Sequence, residues 1–70
     1  MQQHRWDVGA RIRALRRGLG LSQVQLAERI GMDHRTISRL ENGYRNTGID
    51  ELVRIARGLD VPPWRLFRDE

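Results

Sequence analysis

The chain has 70 residues, a formal net charge of +4 and no cysteine. This length allows a single small domain, residues 1–70, and the lack of cysteine excludes disulfides and thiolate metal sites. No apolar run approaches the roughly 20 residues that span a bilayer, and the first residues lack the apolar segment of a signal peptide. We therefore expect a soluble, cytoplasmic protein with no metal, no cofactor and no membrane contact.

The basic residues are unevenly distributed, and all thirteen are arginines. Residues 1–45 hold nine of them against four acidic residues, whereas residues 46–70 hold four against five. A positive N-terminal part favours contact with phosphates, and arginine can bind phosphate or guanine through two parallel hydrogen bonds. Genomic base composition explains the use of arginine rather than lysine equally well, so this choice carries little weight.

A first amphipathic helix is predicted from about Trp6 to Arg17. Its apolar residues recur at helical spacing, at Val8, Ile12, Leu15 and Leu19. Gly18 and Gly20 are expected to end it.

A second helix is predicted to begin at Ser22. Gln25 follows three residues later, which is the spacing of a capping box between the two side chains and the free amides of a helix start. Gly31 is expected to turn the chain, because glycine tolerates a positive φ. The residues predicted to pack inward are Leu26, Ala27, Ile30 and Met32.

A third helix is predicted between Asp33, as its N-cap, and the pair Asn42-Gly43, as its end. Ile37 and Leu40 face inward in this prediction. The side chains left on the outer face are His34, Arg35, Ser38 and Arg39, with Thr36 at the margin. Two short helices around a glycine turn, the second with a polar outer face, predict a helix-turn-helix that places this face in the DNA major groove.

The remaining sequence predicts a loop, from residue 44 to 48, and two further helices. Asp50 and Glu51 favour the start of the fourth helix, which ends near Gly58. Its predicted buried stripe consists of Ile49, Leu52, Ile55, Ala56 and Leu59. Two prolines at 62 and 63 favour a short fifth helix, Trp64 to Arg68. With no strand signal, the predicted fold is all-α with five helices.

The segment from Leu21 to Gly43 resembles the motif of a known protein family. The pattern is LSQ..LA...G....ISR.E.G, and this chain has Leu21-Ser22-Gln23, Leu26-Ala27, Gly31, Ile37-Ser38-Arg39, Glu41 and Gly43. The chain is thereby identified as similar to Cro/repressor-type (XRE-type) helix-turn-helix regulators, and the agreement continues outside the motif over nearly the whole chain. The resemblance implies a five-helix, repressor-type DNA-binding domain.

The outer face of the third helix holds the candidates for base contacts. Arg35 and Arg39 lie four residues apart, and a bidentate arginine contact discriminates guanine by about 1–3 kcal/mol. The resemblance adds His34, whose position contacts bases in relatives, although a phosphate contact is equally compatible. Ser38 is a further candidate, with a short side chain that makes base contact less favoured. The alternative for Arg35 and Arg39 is a pair of ordinary solvated surface arginines.

The resemblance also implies a set of phosphate contacts that fix the register of the helix on DNA. The residues expected to make them are Arg16, Ser22, Gln23, Thr36, Asn42, Tyr44, Arg45 and Asn46. Gln23 and Asn42 have ordinary end-capping as their alternative roles. Tyr44 is also compatible with core packing, and Arg45 with a base contact.

Two more expectations follow from the family. Arg16 and Glu41 should form a partly buried ion pair that joins the first helix to the recognition helix. The C-terminal residues Pro63, Trp64 and Phe67 should form a homodimer interface, because relatives dimerise there and exposed apolar patches mark interfaces. Such a dimer would place its recognition helices about 34 Å apart.

The resulting expectation is a sequence-specific regulator of bacterial or phage transcription that binds double-stranded DNA, a repressor acting at a palindromic operator. We expect no ligand-sensing domain in this chain. The alternative is an antitoxin-like module whose main contact is a partner protein. An enzyme is not expected, because no nucleophile-base pair, metal cluster or phosphate-binding glycine loop is visible.

Overall fold

A computed structural model of the protein describes residues 8–43 and 48–67. These residues form four α-helices, α1 (Val8–Gly18), α2 (Gln23–Ile30), α3 (His34–Glu41) and α4 (Ile49–Gly58), followed by a 3-10 helix, Pro63–Leu66. The described residues contain no strand, in agreement with the predicted fold class. None of their helices combines the length and apolarity needed to cross a membrane.

The fifth α-helix predicted from Trp64 to Arg68 is wrong, because Pro63–Leu66 form a short 3-10 helix instead. Arg68 lies outside the described residues. The amide of Arg65 donates to the carbonyl of Pro62, and the amide of Phe67 to that of Trp64, each three residues back at 3.0 Å. The two prolines supply no N–H, and so short a segment cannot build successive α-helical hydrogen bonds. Residues 8–43 and 48–67 therefore form four α-helices rather than five.

Helix α1 packs its predicted apolar face on the core, with one exception. Ile12 is fully buried and Leu15 packs against the buried cluster. Leu19, predicted to continue this face, is exposed. The helix ends at Gly18, so the helical spacing no longer applies one residue further on. The predicted start at Trp6 lies outside the described residues.

The predicted start and end of α2 are confirmed. The amide of Gln25 donates to Ser22 Oγ at 3.0 Å, and the amide of Ser22 donates to Gln25 Oε1 at 2.8 Å, which completes the capping box. Gly31 adopts φ 67°, the left-handed conformation that the turn requires. Ala27 is buried where α2 crosses its neighbours, and Met32 packs against the core.

Helix α4 buries its predicted stripe except at its first residue. Leu52, Ile55, Ala56 and Leu59 are buried, whereas Ile49 is 67% exposed, so the prediction for Ile49 is wrong. Side chains on a helix lean toward its N-terminus and cover the preceding turn. Because α4 has no preceding turn at Ile49, this side chain projects beyond the helix.

An arginine from each of the helices α2 and α4 donates hydrogen bonds to the C-terminal end of the other helix. Arg29 of α2 donates from Nη1 to the carbonyl of Gly58, at 2.8 Å. Arg54 of α4 donates from Nη2 to the carbonyls of Ile30 and Gly31, at 2.7 and 3.1 Å. Both contacts satisfy carbonyls at helix ends and place positive charge at the negative end of a helix dipole. This pairing was not predicted from the sequence.

A single buried cluster joins all of these elements. Helix α3 packs on α1 and α2, α4 packs on α2, and the 3-10 helix packs on α1 and α4. The cluster consists of Ile12, Leu26, Ala27, Ile37, Leu40, Leu52, Ile55, Ala56, Leu59 and Leu66. The core therefore holds α3 from one side and leaves its other side at the surface.

Candidate nucleic-acid interface

Helix α3 has a sharp division between its two faces. Ile37 and Leu40 are buried, as the spacing predicts. His34, Arg35 and Arg39 are exposed. The two other outer positions, Thr36 and Ser38, are partly exposed, and Asn42 at the end of the helix is exposed. The face that the sequence predicts to be polar therefore lies at the surface and has no part in the core.

Asp33 organises the N-terminal end of this face. Its Oδ1 accepts the backbone amide of Arg35 at 2.9 Å, which confirms the predicted N-cap. The Arg35 guanidinium also bonds to Asp33, from Nε to Oδ1 at 3.4 Å and from Nη2 to Oδ2 at 3.1 Å. Hydrogen bonds from the Arg35 side chain and backbone hold the pKa of Asp33 below its ordinary value.

The other two main candidates for base contacts, His34 and Arg39, are held less firmly than Arg35. His34 Nδ1 lies 3.9 Å from Asp33 Oδ1, which is beyond hydrogen-bond distance. Arg39 is exposed, and its side chain makes no hydrogen bond within the described part of the chain. Both side chains are thus available to an external ligand.

The C-terminal end of α3 is held by a buried ion pair with α1. Arg16 donates to the Glu41 carboxylate from Nε at 2.7 Å and from Nη2 at 2.8 Å, a bidentate arrangement. Its Nη1 donates to the carbonyl of Leu21 at 2.8 Å. The ion pair expected between Arg16 and Glu41 is therefore present. All three nitrogens of this guanidinium donate within the protein, and the side chain has little exposed surface. The phosphate contact predicted for Arg16 stays a prediction.

Two further side chains bond to Glu41, and neither contact was predicted from the sequence. Gln23 donates from Nε2 to Glu41 Oε1 at 3.1 Å, so the start of α2 is also tied to the end of α3. Arg13 donates from Nε to Oε1 and from Nη2 to the backbone carbonyl of Glu41, both at 3.3 Å. Arg13 precedes Arg16 by three residues, so helical spacing on α1 is the signal that could have found it.

These donors decide the charge state of Glu41. Burial by itself raises the pKa of this carboxyl, but the hydrogen bonds from Arg16, Gln23 and Arg13 and the charge of Arg16 outweigh burial. The net pKa of Glu41 is lower than usual, and the hydrogen bond to Glu41 raises the pKa of Arg16. The pair is therefore charged on both sides.

The start of α2 lies beside this network and leaves amides open. Ser22 Oγ and its own amide are both engaged in the capping box. The backbone amides of Gln23 and Val24 have no hydrogen-bond acceptor among the described residues, as is usual for the first turn of a helix. This turn is the place where the phosphate contacts of Ser22 and Gln23 are predicted.

The remaining predicted site residues fall in two groups. Tyr44, Arg45 and Asn46, predicted to contact phosphate, lie outside the described residues. In the predicted dimer patch, Pro63, Trp64 and Phe67 are exposed while their neighbour Leu66 is fully buried. The C-terminal segment thus anchors itself through one apolar side chain and presents two aromatic rings to the surface.

The chain matches the Helix-turn-helix family model (HTH_3) over residues 12–63. An HTH-type transcriptional regulator of Sinorhizobium medicae is 39% identical over 62 residues, covering 89% of this chain and 45% of the relative. Another from Methanothermobacter thermautotrophicus is 46% identical over 48 residues, covering 69% of this chain and 70% of the relative. The chain spans about half the length of the Sinorhizobium relative.

Solved structures agree with this sequence similarity. The restriction-modification controller protein C.AhdI from Aeromonas hydrophila superimposes with a TM-score of 0.83 at 36% identity, covering 90% of this chain and 96% of that chain. The hypothetical transcription factor NHTF from Neisseria gives a TM-score of 0.87 at 27% identity, covering 96% and 77%. With its glycine turn, its capped helices and its exposed α3 face, the chain belongs to the XRE-type helix-turn-helix family of transcriptional regulators.

Proposed function

We propose that the chain binds double-stranded DNA sequence-specifically and acts as a repressor at a palindromic operator. The observation that carries this proposal is the outer face of α3, where three cationic or hydrogen-bonding side chains, His34, Arg35 and Arg39, are exposed between two capped ends. A face with no core duty can enter the major groove without unfolding any part of the domain. The similarity to a restriction-modification controller and to HTH-type regulators supports the same role.

In this proposal the contacts divide into reading and positioning. His34, Arg35 and Arg39 read base edges, with Ser38 beside them. The open amides at the start of α2 bind one phosphate, as helix N-termini do, and Asn42 lies near a second. Arg16, Gln23 and Glu41 hold α3 at a fixed angle to α1 and α2, so the reading face meets the groove as a rigid unit.

We further propose that the protein binds DNA as a homodimer through Pro63, Trp64 and Phe67. Two exposed aromatic rings beside a buried anchor favour an interface, because large apolar side chains gain free energy when they leave water. A second candidate function uses the same patch: an antitoxin-like module would bind a partner protein there. Sedimentation separates the two, because a DNA-binding dimer is expected with this chain alone. A monomer at high concentration, both with and without operator, would contradict the dimer.

Selection of bound duplexes from a random pool tests the DNA-binding proposal. We expect a palindromic motif with half-sites one helical turn apart. Arg39→Ala is expected to lose preference at one base position, whereas Asn42→Ala should weaken binding to all sequences alike. Asn42 suits this comparison better than Gln23, because replacing Gln23 also removes a hydrogen bond to Glu41.

The matched control is Arg57→Ala, which removes the same charge from an exposed position on α4. It should leave the base preference unchanged. The proposal fails if no motif is enriched, and the division of roles fails if Arg39→Ala and Asn42→Ala relax the motif equally.

A further inference from the structure

The contact between Asp33 and Arg35 fixes more than the helix start. Asp33 is held by its own capping hydrogen bond to the Arg35 amide, at 2.9 Å, and by the extended backbone of the cap, with φ −70° and ψ 130°. Its carboxylate therefore stands at a defined place beside the reading face. The side chains of Arg35 and Asp33 are 79% and 50% exposed, so both can reach a ligand.

The geometry of the pair leaves one edge of the guanidinium open. Asp33 takes the side edge of Arg35, with Nε bonded to Oδ1 and Nη2 to Oδ2. Arginine has five N–H donors in a rigid, planar arrangement, so the end edge formed by Nη1 and Nη2 retains a parallel pair of donors. Parallel donors of this kind match O6 and N7 of guanine in the major groove.

We propose that Asp33 is a positioning residue for base reading: it holds the Arg35 guanidinium so that its open edge is presented to guanine. This inference rests on the proposed function. A free arginine must lose side-chain conformations when it binds, whereas an arginine already held by a carboxylate loses fewer. Asp33 thus gives selectivity without touching the base itself.

The same carboxylate has an opposite effect on general affinity. A negative charge beside the groove repels phosphates whatever their sequence. Removing it should therefore strengthen binding to unrelated DNA while it weakens discrimination. If Asp33 served only as a helix cap, its replacement would not combine stronger binding to unrelated DNA with weaker discrimination of guanine.

The test uses Asp33→Asn, which keeps the shape of the side chain and remains a good N-cap. Binding is measured on the selected operator, on the same operator with 7-deazaguanine at the guanine that Arg35→Ala identifies, and on an unrelated duplex. The wild-type protein is expected to lose about tenfold or more in affinity on the modified base. In Asp33→Asn this ratio should shrink by about two- to tenfold, the lower part of the range of coupling between residues in contact. Binding to the unrelated duplex should be equal or stronger.

Asp60→Asn is the matched control, because it makes the same charge change in the turn after α4, at an αL position that asparagine tolerates. It should leave the base ratio unchanged. Asp33→Ser is a second variant that can cap the helix, and it should repeat the result of Asp33→Asn. If thermal melting shows that one of the two is destabilised, the other supplies the comparison.

Each outcome decides a different point. An unchanged base ratio in both Asp33 variants would overturn the inference, and so would a full guanine preference in Arg35→Ala. In either of these cases a wild-type protein that still selects one operator leaves the proposed function standing. A wild-type protein with no sequence preference would overturn the proposed function itself, and the inference with it.

Discussion

The two ends of helix α3 carry the same chemical pair in opposite surroundings. At the C-terminal end, Arg16 grips Glu41 with two hydrogen bonds of 2.7 and 2.8 Å, and the two side chains are 9% and 0% exposed. At the N-terminal end, Arg35 grips Asp33 with bonds of 3.1 and 3.4 Å at the surface. Both pairs are bidentate arginine-carboxylate contacts, so burial is the main difference between them.

This difference separates structure from recognition. A buried pair cannot be broken without leaving a charge in a poorly solvated place, so it fixes the angle between α1 and α3. An exposed pair contributes little to stability, and the Arg35 guanidinium keeps one edge open to a base while it is bonded to Asp33. One end of α3 is therefore locked to the domain, and the other is free to respond to a ligand.

The largest effect is expected for Glu41→Ala. The substitution leaves the buried Arg16 guanidinium without its partner and removes the acceptor of Gln23 and Arg13. Breaking a buried pair in this way costs about 3–5 kcal/mol. This is a large share of the free energy of unfolding, which is roughly 4–10 kcal/mol for a chain of this length. Chemical denaturation followed by circular dichroism measures the loss.

Glu28→Ala is the control for Glu41→Ala, because Glu28 is an exposed glutamate on α2. Its replacement should change the free energy of unfolding by no more than about 0.5 kcal/mol. Equal losses in the two variants would mean that the network around Glu41 contributes nothing beyond an ordinary surface charge.

An intermediate effect is expected for Gly9→Ala, which disturbs the buried end without changing either charge. A Cβ at position 9 would collide with the carbonyl oxygen of Leu40 and lie 3.0 Å from the Cα of Glu41. These are backbone atoms, so α1 itself must move away from the end of α3. Forcing extra volume into a packed contact costs about 1–3 kcal/mol, measured by the same denaturation.

Gly18→Ala gives the matched control for Gly9→Ala. Gly18 is also in α1, and a Cβ there meets nothing within 4 Å. Alanine is the better helix former, so this variant should be neutral or more stable by up to about 1 kcal/mol. A loss in Gly18→Ala as large as that in Gly9→Ala would show that close approach is not the cause.

Local patterns predicted most of this fold because the features concerned are local. The capping box of Ser22, the turn at Gly31 and the cap at Asp33 each depend on residues within four positions of one another. Ile49 and the C-terminal segment failed for the same kind of reason. The spacing of apolar residues identifies the buried face of a helix. It does not show that Ile49 is the first residue of its helix, or that the C-terminal segment forms a 3-10 helix.

The contacts around the interface were harder to predict because they join distant positions. Arg13 and Gln23 lie 28 and 18 residues from Glu41, and no spacing rule links either one to Glu41 directly. Helical spacing only places Arg13 beside Arg16. The pair Arg16–Glu41 was expected only through family resemblance. The side-chain contact between Asp33 and Arg35, in contrast, spans two residues, yet capping rules describe only its backbone half.

The smallest effect, and the sharpest comparison of the two carboxylates, is expected from acid titration. The pKa of Glu41 is lowered in the folded protein by its donors, so its contribution to stability is complete above its ordinary value of 4.5 and is lost as the pH falls through the lowered value. The loss is smaller than in Glu41→Ala, because a protonated carboxyl keeps its shape and part of its hydrogen bonding.

Denaturation from about pH 5 to about pH 3 follows this loss in the wild-type protein and in two variants. Glu41→Gln should be less stable at neutral pH and should lose less stability on acidification, because it has no proton to take up at this site. Asp33→Asn should keep nearly the wild-type dependence on pH. The pKa of Asp33 is also lowered, which has the same sign, but the solvent screens this exposed pair so strongly that its titration contributes little. If Asp33→Asn flattened the acid limb as much as Glu41→Gln, the two ends of α3 would be equivalent, and burial would not be what separates the structural pair from the reading pair.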